Sequence, residues 1–418
     1  MLGRVLDLWL RLGLLAALPA VSACAKLAQQ RDHALIDHAA LPRLAKTSAL
    51  SLHWSFDTQP ERGRSGHFVP VEHATAVASA AMNRVFCGSS AGELVALRGD
   101  GAVAFRYRTG DGVESKPALD EAADALFVGG EDGQLHALRA SDGKLHWRRR
   151  IRGSIRGQPV LSRDAVFVVS SDDVLAAFAR RDGKVLWMLQ HDRNEGLSSA
   201  GHAGLVRHGD LLLTAMTNGD VLAIHAQEGA VVWDFATADD IAAEADDDVL
   251  FDVDTTPVVV NERVYVASSH GGLYVLAAES GELIDRDPRL RAVSALTTDG
   301  RTLYLTAHGR GIVAYAPEAQ RIVWQRPVSG ALAPPVVADG KLIAGESQGR
   351  LLVLDAATGK LLAAMRDSQG FAAPVEVAGE RWFVLTNGGT LWALSWGARR
   401  PPETPPDWRF APWSLWQR

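Results

Sequence analysis

Gly133-Gln-Leu-His-Ala-Leu138-Arg-Ala-Ser-Asp-Gly143-Lys-Leu-His-Trp147 carries the pattern on which the architecture rests. Its first six residues, idealised as Gly-x-Leu-x-Ala-Leu, recur at Gly92–Leu97, Asp173–Phe178, Gly219–Ile224, Gly271–Leu276, Arg310–Tyr315, Gly349–Leu354 and Gly389–Leu394. The last residues of successive copies stand 41, 40, 46, 52, 39, 39 and 40 apart. Repetition at that period predicts four short strands per unit, arranged as the blades of an eight-bladed, all-β propeller.

Outward from the six-residue unit the grammar continues. A turn glycine follows at Gly101, Gly143, Gly183, Gly229, Gly281 and Gly359, in contexts such as Ser141-Asp142-Gly143 that suit a tight hairpin. Four residues later comes a ring: Phe105, Trp147, Trp187 and Trp233, with Trp324 in the same slot after Gln320. Asp285 and Ala363 break this rule, so their units must pack differently. Pro117, Pro159, Pro257, Pro335 and Pro374 then open apolar runs, as suits the first residue of a strand. Short β-rich runs follow, among them Ala165–Ser170, Arg263–Ser268 and Thr302–Thr306.

A single four-stranded sheet cannot bury both its apolar faces, whereas stacking around an axis covers both. The fifth position is small (Ala96, Ala137, Ala177, Ala223, Ala314, Ala393, with Val275 and Val353), which predicts close approach between blades. The large sixth position suits an interblade core, and the tryptophans read as core that locks neighbouring blades. The eighth unit lacks a last strand. Ser51-Leu-His-Trp-Ser-Phe56 is a Trp-bearing outer strand with no blade before it, and it is expected to complete the eighth blade and close the ring.

The 418 residues carry a net charge of -6, which argues against a dedicated nucleic-acid binder. Two cysteines, Cys24 and Cys87, exclude a disulfide scaffold and a cysteine-rich metal site. After residue 30 no apolar run is long enough to span a bilayer. Residues 1–23 have an early Arg4, an apolar stretch Leu12–Val21 and small residues before Cys24. This is the pattern of a secretory signal, the other reading being a short helix. Val21-Ser-Ala-Cys24 resembles a bacterial lipobox, so Cys24 is expected to carry acyl chains, palmitate among them. Ala25 rather than aspartate implies sorting to the outer membrane. Residues 24–50 then form a tether, with a short helix over 26–40 as the alternative, and residues 51–397 form the propeller.

Residues 398–418 form a tail. Arg399–Pro406 favours an extended polyproline-like strand, and Trp408, Phe410, Trp413 and Trp416 follow. That tail either caps its own propeller or docks on a partner.

The Ala…Gly…Trp spacing at Ala137/Gly143/Trp147, Ala177/Gly183/Trp187 and Ala223/Gly229/Trp233 resembles the tryptophan-docking repeat of quinoprotein-like propellers. That motif speaks for fold rather than activity. With the lipobox, the tether, eight units and Asp252-Val-Asp-Thr-Thr-Pro-Val-Val-Val260, the chain from Cys24 to about Ser395 resembles the BamB family of outer-membrane protein assembly factors. The resemblance implies a non-enzymatic lipoprotein on the periplasmic face of the outer membrane. Its implied partner is a BamA-like barrel protein, bound through POTRA domains, with unfolded outer-membrane clients as further partners. It implies contact through two neighbouring loops, one carrying Asp252 and Asp254, the other Leu197 within Glu195–Gly201. Ser199 and Ala200 depart from the leucine and arginine expected there.

The residues themselves agree in part. The long intervals of 46 and 52 flank this region, and residues 239–254 carry eight carboxylates and no Lys or Arg. Such a segment suits a basic partner, or is simply solvated. The spacing lacks the Asp-x-Asp-x-Asp-Gly loop of a calcium site, so no metal is expected. Two other functions compete. A quinone-cofactor dehydrogenase would share the repeat, but the cysteine pair of such enzymes is missing and Cys87 reads as a core thiol. No catalytic residue and no cofactor is assigned. A propeller binding envelope polysaccharide or peptidoglycan would instead use exposed aromatics.

Overall fold

The computed structural model describes residues 49–59, 71–191, 203–237, 253, 255–268, 270–328 and 330–397. The chain divides into Met1–Thr47 and Ser48–Arg418. The expected signal, Cys24, most of the tether and the tail lie outside the described residues.

The described chain opens with β1 (Leu50–Asp57). Blade 1 comprises β2 (Val77–Ser79), β3 (Arg84–Cys87), β4 (Glu93–Arg98) and β5 (Val103–Arg108); blade 2, β6 (Ala118–Asp120), β7 (Ala125–Gly129), β8 (Gln134–Arg139) and β9 (Leu145–Arg150). Blade 3 holds β10 (Val160–Leu161), β11 (Ala165–Val169), β12 (Val174–Ala179) and β13 (Val185–Gln190); blade 4, β14 (Val206–His208), β15 (Leu211–Ala215), β16 (Asp220–His225) and β17 (Val231–Ala236). Blade 5 holds β18 (Val258–Val260), β19 (Arg263–Ser268), β20 (Gly272–Ala277) and β21 (Leu283–Asp287); blade 6, β22 (Val293–Thr298), β23 (Leu303–Ala307), β24 (Gly311–Ala316) and β25 (Arg321–Arg326). Blade 7 holds β26 (Val336–Ala338), β27 (Lys341–Gly345), β28 (Arg350–Asp355) and β29 (Leu361–Arg366). Blade 8 holds β30 (Glu376–Ala378), β31 (Arg381–Leu385) and β32 (Thr390–Trp396), and β1 is its fourth strand.

The expected all-β, eight-bladed propeller is therefore what the chain adopts, every blade a four-stranded antiparallel sheet. The two middle strands of each blade are near-continuous apolar runs because both faces are covered; all five residues of β11 and five of the six of β12 are buried. The core lies between neighbouring blades, as where Phe127 and Trp147 of blade 2 pack with Val166, Val168 and Phe178 of blade 3.

Ring docking joins the blades. The indole N–H of Trp147 donates to the Arg180 carbonyl at 2.8 Å, and its ring covers Gly183, where a Cβ would lie 2.6 Å from ring atoms. Equivalent bonds run from Trp54 to Gly99, Trp187 to Ala226, Trp233 to Ala278 and Trp324 to Ala356, at 2.9–3.0 Å. Each turn glycine serves twice, since Gly183 also has φ +69°.

The register adds to one expectation. The small fifth residue is the cross-strand neighbour of the ring in its own blade, as Ala137↔Trp147, Ala177↔Trp187 and Ala223↔Trp233. It lies in the core against the next blade, as expected, and there it makes room for the indole. Where the ring is missing the fifth residue grows, as Val275↔Asp285 and Val353↔Ala363. At the first of these junctions a Gln320 side-chain N–H donates to Asp285 at 2.7 Å, taking the place of an indole on a glycine. In units five and six the left-handed residue falls one position later than the repeat suggests, at Gly272 and Gly311.

Closure follows the expected route. β1 pairs antiparallel with β32 from Leu50↔Trp396 to Asp57↔Thr390. Trp54 then docks on blade 1, packing between Phe383 of blade 8 and Gly101.

Candidate functional site

Alternating strand direction gives the ring two unlike faces. The turns between second and third strands lie on the same face as the connections from one blade to the next; this is the connection face. The remaining hairpins lie on the opposite face. The two segments that the sequence singles out, 192–202 and 238–254, join β13 to β14 and β17 to β18, so their described ends share the connection face at blades 3 to 5.

Leu197, Asp252 and Asp254 lie outside the described residues, and the structure assigns them no contacts. What it does describe are the roots of both segments. His191 leaves β13 with its backbone N–H on the Asp173 carbonyl (3.1 Å) and its Nε2 2.8 Å from Asp220, which also accepts from Asn218 at 2.7 Å. Asp173 in turn accepts the Thr217 hydroxyl at 2.5 Å. Thr237, the last described residue before the second segment, is buried and donates its hydroxyl to Gly219 at 2.8 Å.

Beyond the segments, Ala203 and Val253 are both buried in one cluster with Val221, Trp233, Val264 and Tyr274. The Thr255 hydroxyl donates to the Ala267 carbonyl (3.1 Å) and accepts the Ala267 N–H (2.9 Å). The Gly204 N–H donates to the Thr256 hydroxyl at 2.8 Å, bonding the end of the first segment directly to the end of the second. A side chain at Gly204 would meet that hydroxyl at 2.8 Å. The Asp-Val-Asp-Thr-Thr-Pro stretch thus contributes anchors as well as acids: Val253, Thr255 and Thr256 fasten it. Sequence reading singled out the carboxylates and missed these anchors. The available signal was a β-branched pair directly before the strand-opening Pro257.

Elsewhere the connection face is lined with paired carboxylates. Glu72 accepts from the Ser90 N–H and hydroxyl (2.9 and 2.8 Å) and from Gln59. Arg156 bridges Glu131 at 2.8 Å and Glu114 at 3.8 Å. Burial holds the Glu114 carboxyl above its usual range, and the neighbouring Glu131 adds to the effect. Glu376 on the first strand of blade 8 pairs with Lys116 at 2.6 Å, an ion pair that reaches past blade 1 to the start of blade 2.

Cys87 is fully buried and burial pushes its thiol far up, as suits the core thiol read from the sequence. Among the described residues no group of three or more His, Cys, Asp or Glu could hold a metal ion. An open cleft of about 520 Å3 lies between blades 2 and 3 on the hairpin face, lined by Asp120, Phe127, His146, Arg163 and Arg180. Arg180 is committed there: it pairs with Asp120, lies 5.7 Å from the Phe127 ring and donates to Ser162 at 2.8 Å. The cleft is the outer side of a latch between blades.

Comparison with known proteins places this geometry. The family described as "Outer membrane protein assembly factor BamB" matches residues 122–326 and 309–400. The assembly factor BamB of Salmonella typhimurium (strain LT2) is 33% identical over 277 residues, which is 66% of this chain and 70% of that protein. The crystal structure of BamB from Moraxella catarrhalis superposes with a TM-score of 0.69 at 18% identity, covering 83% of this chain and 99% of that one. A europium-containing methanol dehydrogenase also superposes, with a TM-score of 0.64 at 14% identity over 84% of this chain and 95% of that one; at this identity the likeness is one of fold alone. With the family match running across more than half of its length, the chain belongs to the BamB family of outer-membrane protein assembly factors.

Proposed function

We propose that this chain is a non-enzymatic scaffold for assembly of β-barrel proteins into the outer membrane. It is anchored through acylated Cys24 on the periplasmic face, after removal of residues 1–23. Residues 24–50 tether the propeller, 51–397 form it, and 398–418 are an appended tail. Its partner is a BamA-like barrel protein, bound through POTRA domains, with unfolded barrel clients as further partners. Family membership is the observation that carries this reading. The geometry supports it physically: the roots of both candidate segments are buried and bonded to each other, so a rigid base holds the two together. A segment of eight carboxylates on a rigid base suits a basic surface and speeds encounter with it.

The test is co-purification from native membranes. Asp252→Arg with Asp254→Arg, or Leu197→Glu, should abolish recovery of the barrel partner while the urea midpoint of the propeller stays unchanged. Undiminished recovery would remove these residues from the interface. Cys24→Ala should move the protein from the membrane to the soluble fraction.

A further inference from the structure

The outer strands of the blades differ in charge. Most begin with apolar residues, several of them exposed, such as Val103, Leu145, Val185, Val231 and Leu283, while the outer strand of blade 6 begins with Arg321. Apolar exposure is therefore common to the rim and marks no particular blade. Charge does mark one. From Gly143 to Arg163 there is no carboxylate, although the whole chain is net negative, and the stretch includes the outer strand β9. β9 ends in three consecutive arginines, and β5 beside it ends in Arg106-Tyr-Arg108. By contrast β13 is uncharged, and β17 carries only Asp234.

β5 and β9 are neighbouring rims whose arginines flank β5: Arg108 lies opposite Glu93, on the face of blade 1 turned to blade 8, and Arg148 leaves blade 2 toward blade 1. Arg148 lies opposite His136 in the β8–β9 register, so both side chains leave the same face of blade 2. His136 is 3.0 Å from the Tyr107 hydroxyl of β5, and the Arg148 charge acts on Tyr107 itself. Arg108 and Arg148 are exposed, and neither is paired with a carboxylate among the described residues. Arg150 and Arg152 keep about two thirds of their side-chain surface in water, at 66% and 61%, even while touching Asp132 and Asp172. Arg149 differs: it donates to the Asp182 and Gly183 carbonyls and serves the blade 2–3 junction.

We infer that the rim of blades 1 and 2 is a membrane-facing surface that binds anionic phospholipid headgroups through Arg108, Arg148, Arg150 and Arg152. The inference rests on the proposed lipid anchor in one respect: the chain enters the propeller at Leu50 on the outer edge of blade 8, and blade 1 is the next blade around the ring. Leu50 opens its strand at the hairpin-face end and Arg108 and Arg150 close theirs at the connection-face end, so the tether arrives one blade away from the arginine rim, at the other end of the outer strands. Exposed guanidinium groups spread along two strand edges, two of them free of carboxylates, suit a laterally continuous anionic surface better than a single pocketed anion. A few such charges hold a protein face near anionic lipid, and this attraction weakens as salt screens it.

The test uses the full chain carrying Cys24→Ala, so that no acyl chain contributes, sedimented with phosphatidylcholine vesicles with and without phosphatidylglycerol. Binding should require phosphatidylglycerol and fall at high salt. Arg108→Glu with Arg148→Glu should weaken it about tenfold or more, and the Gln pair should have a smaller effect in the same direction. Arg321→Glu, on the distant rim of blade 6, should change nothing. Equal binding by the parent and the Glu pair overturns the inference, as does binding indifferent to lipid charge. Retention by polyglutamate in place of vesicles also overturns it, in favour of an acidic protein partner. Fractionation of the chain with native Cys24 reads the anchor separately: a soluble wild type would sink the anchor and leave the vesicle result standing.

Discussion

At Gly183 two demands meet in one residue, a left-handed backbone and an indole lying flat on the α-carbon. Gly209 meets only the first, with φ +58° and open space around it. Gly209→Ala should therefore lower stability by about 1 kcal/mol. Gly183→Ala should lower it by about 2–4 kcal/mol, because the Trp147 ring must also shift. Urea unfolding of both variants reads the difference, and equal losses would remove the docking argument. His136 offers a second test. It is fully buried between blades 1 and 2, and burial, with the Arg148 charge beside it, holds its pKa below the usual histidine value. The unfolded chain takes up this proton near pH 6.5 while the folded chain resists it. The folded state is thus fully favoured above that pH and loses stability as pH falls below it. His136→Leu, matching Leu222 and Leu352 at the equivalent positions, should lose less stability between neutral and mildly acidic pH than the parent; an identical pH profile would rule His136 out as the cause.

Within a blade, side-chain volume is traded across the third and fourth strands. Alanine sits opposite a tryptophan and valine opposite a residue without a ring, with one extra residue in the outer strand just before each ring position, as between Val185 and Trp187. Ala177→Val should cost about 1–3 kcal/mol by overpacking against Trp187. In a Trp187→Ala background the same change should cost almost nothing, so the cycle should show a coupling of about 1 kcal/mol or more; no coupling would mean the two residues do not share a volume. Much of this element-level order is legible in the sequence, because the period, the turn glycines and the rings recur at fixed offsets. The small fifth residue was legible as small and as a place where blades meet, but not its indole partner, which lies on another strand and is brought opposite only by the bulged register. The Gln320–Asp285 bond was visible merely as a broken pattern, since a substitute contact between blades has no fixed spacing. The same limit applies to the candidate site. Carboxylates announce themselves in composition, whereas Val253, Thr255 and Thr256 become anchors only through blades that pack around them.

For the molecule as a whole, one strand decides whether the stack is a ring. β1 supplies Leu50, Trp54 and Phe56 to cores on either side of blade 8. Deleting Leu50–Asp57 should cost about 3–5 kcal/mol or more, since it removes buried Leu50 together with half-buried Trp54 and Phe56. A truncated protein that unfolds at the parent's urea midpoint would refute closure. Charge is divided at this scale as well, with arginines on the rim of blades 1 and 2 and carboxylates gathered in the segment before blade 5. If both proposals hold, an anionic surface and a basic partner engage different blades of the same body.

The pairing of β1 with β32 also sets a timetable. The hydroxyl of Ser51 donates to the carbonyl of Gly397 at 2.8 Å, across 346 positions of sequence. During synthesis the earliest strand is finished roughly 20–70 s before its mate exists, at ordinary ribosomal speed. Throughout that wait its leucines and rings have no home, and bridging so long a span is intrinsically slow. The opening segment therefore stays unpaired until the final one is available, and a chain halted before residue 396 can never seal itself, however well its seven complete sectors have formed.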